Sequence, residues 1–173
     1  KTFLTALEYS PYEGEEVKLE EYVSADFHSL VFIDGELKTK ITVSGLTVKS
    51  VSDSFATLNS ELKTDNPLST LHHALLGAGV VLEIDKKAKI ERPIRLVNII
   101  TRSGVNAPTI LIKANSFSEA TILEENYDQA IAHAFIGETY IQVEAGAKLE
   151  HVQVSHGSDT SLLHTSTHTT LAR

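Results

Sequence analysis

Val80-Val81-Leu82-Glu83-Ile84, Ile94-Arg95-Leu96-Val97-Asn98-Ile99-Ile100, Thr109-Ile110-Leu111-Ile112-Lys113-Ala114 and Ala120-Thr121-Ile122-Leu123-Glu124-Glu125 begin a series of short apolar runs. β-Branched residues dominate them, as they do in strands. The series continues through Thr139-Tyr140-Ile141-Gln142-Val143-Glu144 and Lys148-Leu149-Glu150-His151-Val152-Gln153-Val154, and residues 162–171 are still strand-like. Run centres recur about every 11 to 18 residues, with turn-rich pieces such as Arg102-Ser103-Gly104 and His156-Gly157-Ser158-Asp159 between them. No helix of ordinary length fits those gaps, which sets aside a βαβ alternation. Two all-β architectures remain, an antiparallel sandwich or barrel and a β-solenoid of stacked coils. After Asp34-Gly35, two-residue hairpin signals are scarce, and only Ala145-Gly146-Ala147 is short enough for a tight turn. That favours the solenoid, with Ile84, Leu96, Ile112, Ile122, Val143 and Val154 expected to connect along one elongated core.

Upstream the texture differs, and residues 1–78 read as a small N-terminal α/β region ahead of coils at 79–173. Ser29-Leu30-Val31-Phe32-Ile33-Asp34-Gly35 is a strand ending in a turn signal. Residues 41–51 alternate loosely, as one or two more short strands. A helix near 67–76 is well marked: Asn66 suits an N-cap, Pro67 the first helical position, and Leu68, Leu71 and Leu75 follow at helical offsets before Gly77 and Gly79. Residues 54–62 read as a second, weaker helix. His72 and His73 are expected as a solvated pair on the polar side of the first.

The 173 residues carry 15 Lys and Arg against 23 Asp and Glu, a net charge of −8. That balance argues against nucleic acid and against an anionic membrane surface as partners. The 42% hydrophobic content excludes wholesale disorder, and no apolar run is long enough for a bilayer. Cysteine is absent, which removes disulfides, thiol nucleophiles and thiolate-held zinc or iron–sulfur clusters from this stretch. With no targeting or lipidation signal in sight, a cytoplasmic protein is the expectation.

Catalytic signals are weak. Four of the eight histidines, His151, His156, His164 and His168, cluster late in the chain. His164 and His168 on a strand would stand about 13 Å apart, too far to share one ion. Adjacent Glu124 and Glu125 point to opposite strand faces and cannot form an acid–base pair. Gly77-Ala78-Gly79 follows a helix, whereas a phosphate loop precedes one. Neither a Gly-Lys-Ser/Thr loop nor a Gly-x-Ser-x-Gly elbow occurs. The residues therefore nominate no catalytic, cofactor-binding or metal site, and the chain reads as a non-enzyme.

The order of the pieces is more specific than any one of them. A Leu68-x-x-Leu71-x-x-Ala74 helix leads into Gly79-Val80-Val81-Leu82-Glu83-Ile84, then Asp85-Lys86-Lys87-Ala88 and Ile90-Glu91-Arg92-Pro93-Ile94-Arg95-Leu96. Tyr9-Ser10-Pro11, Leu30-Val31-Phe32-Ile33-Asp34-Gly35, Ala120-Thr121-Ile122-Leu123-Glu124-Glu125 and Glu144-Ala145-Gly146-Ala147-Lys148-Leu149-Glu150-His151 are collinear with it. This arrangement resembles the SufB/SufD family of iron–sulfur cluster assembly proteins, and its SufD branch most. The resemblance implies a right-handed parallel β-helix behind the small N-terminal region. It also implies partnership with a SufB-like subunit and a SufC-like ATPase, with the iron–sulfur cluster held at the level of the complex and none bound by this chain alone. Family members continue through further coils into a C-terminal helical domain, so the chain reads as truncated before it. The family's cluster-assembly residues match no position here.

Residues 162–171 are expected to be an association edge, with Thr165, Thr167 and Thr169 on one face and His164, Ser166 and His168 on the other; pairing would be with a SufB-like subunit or as a homodimer. The competing readings are a β-sandwich or jelly-roll binding module and, behind it, a polysaccharide-active enzyme on a β-helix. The first would need an exposed aromatic platform, the second convergent Asp residues on one coil face.

Overall fold

Along most of the chain, successive strands alternate between two sheets. The computed structural model describes residues 17–51, 67–75, 78–129, 133–157, 159 and 161–172. Their strands are β1 (His28–Ile33), β2 (Glu36–Leu37), β3 (Leu46–Ser50), β4 (Gly79–Ile84), β5 (Ile94–Ile100), β6 (Gly104–Asn106), β7 (Thr109–Ala114), β8 (Glu119–Asp128), β9 (His133–Val143), β10 (Lys148–His156) and β11 (Leu162–Leu171). The α-helix, α1, is Pro67–Ala74. The expected second helix at 54–62, and Tyr9-Ser10-Pro11, lie outside the described residues.

One sheet has the order β10-β8-β5-β1-β2, the other β11-β9-β7-β4-β3. Every neighbouring pair from β1/β5 to β8/β10, and from β4/β7 to β9/β11, is parallel. Only β1/β2 and β3/β4 run antiparallel. The result is a β-solenoid of about three turns, which overturns the sandwich and jelly-roll alternative. Each coil gives one strand to each sheet, so two apolar runs make one repeat. Asn98 lies beside Asn126, 28 residues on, and Glu124 beside Gln153, 29 residues on. The stack also reaches back past residue 79, because β1 pairs in parallel with β5 over its whole length.

A repeated turn holds the coils in register. Ala88, Ser118 and Ala147 donate their N–H to the carbonyls of Asp85, Asn115 and Glu144, each at 3.0 Å. The third residue of each turn is left-handed: Lys87 (φ 62°), Phe117 (φ 62°) and Gly146 (φ 73°). The turns bond to one another as well, Lys87 N–H to the Ser116 carbonyl at 3.0 Å and Phe117 N–H to the Ala145 carbonyl at 3.2 Å. Gly79 is required where β4 begins: its φ is 137°, and a Cβ there would stand 1.9 Å from the Thr109 carbonyl oxygen.

Side chains stack in columns inside the coil. Leu30, Leu96, Glu124 and Gln153 form one, and Leu82, Ile112, Ile141 and Thr169 another. Leu30, Leu82, Ile84, Ile94, Leu96, Ile112 and Ile122 are fully buried and form the centre of the core. At the β3 end that core is covered by Ile41, Val43, Leu46 and Val48. Val143 joins the core as expected, but Val154 does not. Register pairs Val154 with Glu125, and it faces outward, 38% exposed. Leu149, which packs on the core, shares its side of β10 with His151 and Gln153.

Both outer faces are partly covered. Val17, Leu19 and Tyr22 pack over Val31, Val97 and Ile99 on the first sheet. On the second, α1 lies against β9, close to where Val51, Val81, Leu111 and Tyr140 form a smaller cluster. No helix among the described residues is long and apolar enough to cross a membrane.

Candidate functional site

The last coil is built from different chemistry. Glu124 follows Leu96 in its column and is 2% exposed. Its Oε1 accepts from Gln153 Nε2 at 2.7 Å, and its Oε2 accepts from Thr139 Oγ1 at 3.0 Å and lies 3.2 Å from His151 Nε2. A second polar column runs beside it: Asn98 Nδ2 donates to Asn126 Oδ1 at 2.8 Å, and Asn126 Nδ2 to Ser155 Oγ at 3.1 Å. Glu125, on the opposite strand face as expected, pairs with Arg95 at 2.5 Å. Beyond Glu124 the interior opens into a cavity of about 1060 Å³, bordered by Ile141, Val143, Leu149, His151, Thr167, Thr169 and Leu171.

The expected edge residues divide between that mouth and the outer surface. Thr167 and Thr169 line the cavity, and Thr165 shares their side of β11. His168 lies outside, stacked on Tyr140 at 4.9 Å and 17°. His164 is outside too, with Ser166 Oγ 3.1 Å from its Nε2. β11 is the last strand of its sheet. Ala172 N–H bonds back to the Val143 carbonyl at 2.9 Å. Alternation along the strand then turns the Thr167 and Thr169 N–H groups toward the free edge. The four late histidines share no centre: His151 is interior, His156 stacks on Tyr127 at 4.7 Å, and His164 and His168 stand on β11.

A second cluster was not foreseen. His72 is fully buried rather than solvated, because α1 turns it onto the second sheet. His72, His73 and Glu138 each place a ligand-type atom within 4.8 Å of the others. His72 Nε2 is 3.0 Å from the Pro108 carbonyl, a pure acceptor, so this nitrogen carries the proton. His72 Nδ1 then presents a lone pair, 3.5 Å from Glu138 Oε2. His73 Nε2 lies 3.5 Å from the same oxygen and 3.2 Å from the Tyr140 hydroxyl, which donates to Glu138. Burial pushes His72 below the usual imidazole range, against the opposing pull of the Pro108 carbonyl and Glu138. Burial disfavours an ionised Glu138, yet hydrogen bonds from Ser69 and Tyr140 and the two histidines hold its carboxyl below the usual range.

A third group, Asp128, His133 and Ser161, has the residue types of a hydrolytic triad but not the wiring. Asp128 Oδ1 and Ser161 Oγ both approach His133 Nδ1, at 3.2 and 3.4 Å. A relay needs the two partners on opposite ring nitrogens. Here Ser161 instead donates to Asp128. Burial holds His133 below the usual imidazole range against the Asp128 and Asp34 carboxylates.

Comparison of the chain with protein-family models and with curated proteins returns no match.

Proposed function

We propose that this chain is a non-catalytic, cytoplasmic scaffold subunit of a SufBCD-type iron–sulfur cluster assembly complex. The observation that carries this reading is the coil end between β10 and β11. It is a receiving face, with free backbone donors on β11, an apolar rim at Val143, Leu149 and Leu171, and a hydrogen-bonding floor at Glu124, His151 and Gln153. A further coil laid there would continue both sheets and cover the rim. The occupant is a coil of a SufB-like subunit, with a SufC-like ATPase completing the assembly. The cluster is the cargo of that assembly, since these 173 residues offer no thiolate to hold it. Collinearity of the motifs from Tyr9 to His151 with the SufB/SufD family supports the reading. So does the scarcity of strand Asp: among the described residues only Asp128 lies in a strand, which disfavours a polysaccharide-active solenoid.

The test is co-expression with SufB-like and SufC-like subunits followed by size-exclusion chromatography. All three should elute together. Thr167→Pro, which deletes a free-edge donor without touching the β9 ladder, should release this chain from the complex. Assembly of the other two without the wild-type chain, or its elution as a homodimer that excludes them, would sink the proposal.

A further inference from the structure

The buried cluster on α1 and β9 has an unmet electrostatic demand. With the His72 proton committed to Pro108, the Nδ1 lone pair faces a carboxylate across 3.5 Å. Neither His72 Nδ1 nor Glu138 Oε1 has a hydrogen-bond partner, although His72 and Glu138 are no more than 1% exposed. A buried, unpartnered lone pair beside a carboxylate is stabilised by a cation held between them.

We propose that His72, His73 and Glu138 bind one divalent transition-metal ion of zinc-like character. The donor set is two imidazoles and one carboxylate, which suits borderline ions and not calcium or magnesium. The surroundings are those of a metal site. His72 donates its other ring N–H to a backbone carbonyl, fixing the tautomer that leaves Nδ1 free to coordinate. Tyr140 and Ser69 orient the Glu138 carboxylate. His73 offers Nε2 once its proton sits on Nδ1. The fourth position is left for water or for Tyr140. Two ligands come from α1 and one from the middle of β9, so the ion would pin the helix onto the second sheet. This site lies on the outer face of the second sheet, one strand in from β11, and does not depend on the scaffold reading.

The probe is Co2+, whose visible d–d absorption reports coordination directly, with Zn2+ as competitor. The purified full chain, freed of metal by chelation, is expected to retain about one Co2+ through gel filtration. Zn2+ should displace it and raise the thermal midpoint, because the ion binds the folded state. Glu138→Gln and His73→Gln should each weaken Co2+ by at least about tenfold. His164→Gln, on the outer surface of β11, should leave it unchanged. Circular dichroism establishes that the variants fold; His73 is the safer position because it is partly exposed. A folded wild-type chain that retains no Co2+ would overturn the proposal. Equal retention by wild type, Glu138→Gln and His73→Gln would overturn it as well.

Discussion

The two ends of the solenoid interior are built on opposite principles. Near β4 and β5 the columns hold Leu82, Ile84, Ile94 and Leu96, all fully buried, closed over by Ile41, Val43, Leu46 and Val48. Two to three coils later the same columns hold His151 and Gln153, then Thr169 and Leu171, around a buried carboxylate and beside an open cavity. The backbone is nearly unchanged between them, with the same parallel register and the same stacked turns. What changes is what the interior can bond to. Apolar columns satisfy themselves by packing, whereas polar columns fix partners by direction and leave capacity for more. The early coils are closed by packing, and the last leaves edge and rim groups open, where the proposed association would take place.

The sharpest way to break this contrast is to truncate one column at both ends. Leu82→Ala opens a cavity in a closed core and should cost about 2–5 kcal/mol. Thr169→Ala, two residues before the end of β11, should change stability by no more than about 0.5 kcal/mol. Urea unfolding of both variants measures the difference; equal losses would mean that the last coil is as load-sharing as the first.

Next in size is the buried carboxylate. Glu124→Gln keeps the shape but puts an amide N–H2 group where an oxygen accepts from Gln153, or from Thr139 with His151 close by. Gln153 must then turn its amide oxygen inward, or Thr139 must accept instead of donate, and loss of the bonds to a charged acceptor costs about 1–3 kcal/mol. An unchanged urea midpoint would show that the polar column is held by backbone pairing alone.

Much of this division is written in the sequence, though not where periodicity looks first. The strand runs and the scarcity of hairpins favour a solenoid over a sandwich. They do not set the register, and so Val154 was expected inside. The turns carry it: Ile84-Asp85-Lys86-Lys87-Ala88, Ala114-Asn115-Ser116-Phe117-Ser118 and Val143-Glu144-Ala145-Gly146-Ala147 align apolar, acidic or amide, free, left-handed, small. Counting from those turns puts Glu124, His151 and Gln153 inside and Val152 and Val154 outside. Nothing comparable marks the α1 cluster. Its histidines look like a solvated pair because helical spacing cannot show that the helix lies on β9, and His73 meets Tyr140 only 67 residues later. Contacts formed by coil stacking have no local signature.

A pH dependence should separate the interior from its surroundings with a smaller effect. An unfolded histidine titrates near about 6.5, whereas burial keeps folded His133 neutral to lower pH, despite Asp128 and Asp34. Below about 6.5 the unfolded chain therefore binds more protons than the folded one, and stability falls as pH falls. Its contribution is complete above that value. Glu138, held below the usual carboxylate range, acts in a lower window: its contribution is present above about 4.3 and is lost on further acidification. Urea midpoints between pH 7.5 and 5 should decline for wild type and decline less for His133→Gln. Parallel curves would mean that other histidines carry the dependence.

The smallest effect on folding should accompany the largest on association. Leu171 closes the column of Ile84, Ala114 and Val143, yet it is 69% exposed because nothing described here lies over it. Leu171→Asp removes little buried apolar surface, so the isolated chain should unfold within about 0.5 kcal/mol of wild type. A coil arriving on β11 would place its own side chain over that position, and the carboxylate would then be desolvated without a counter-charge. Glu119 and Glu150 border the same mouth and add repulsion. Capture by a SufB-like subunit should therefore weaken by tenfold or more while circular dichroism and the urea midpoint stay unchanged. Loss of stability together with loss of capture would mean instead that Leu171 already packs in the free chain, and that the last coil is as closed as the first.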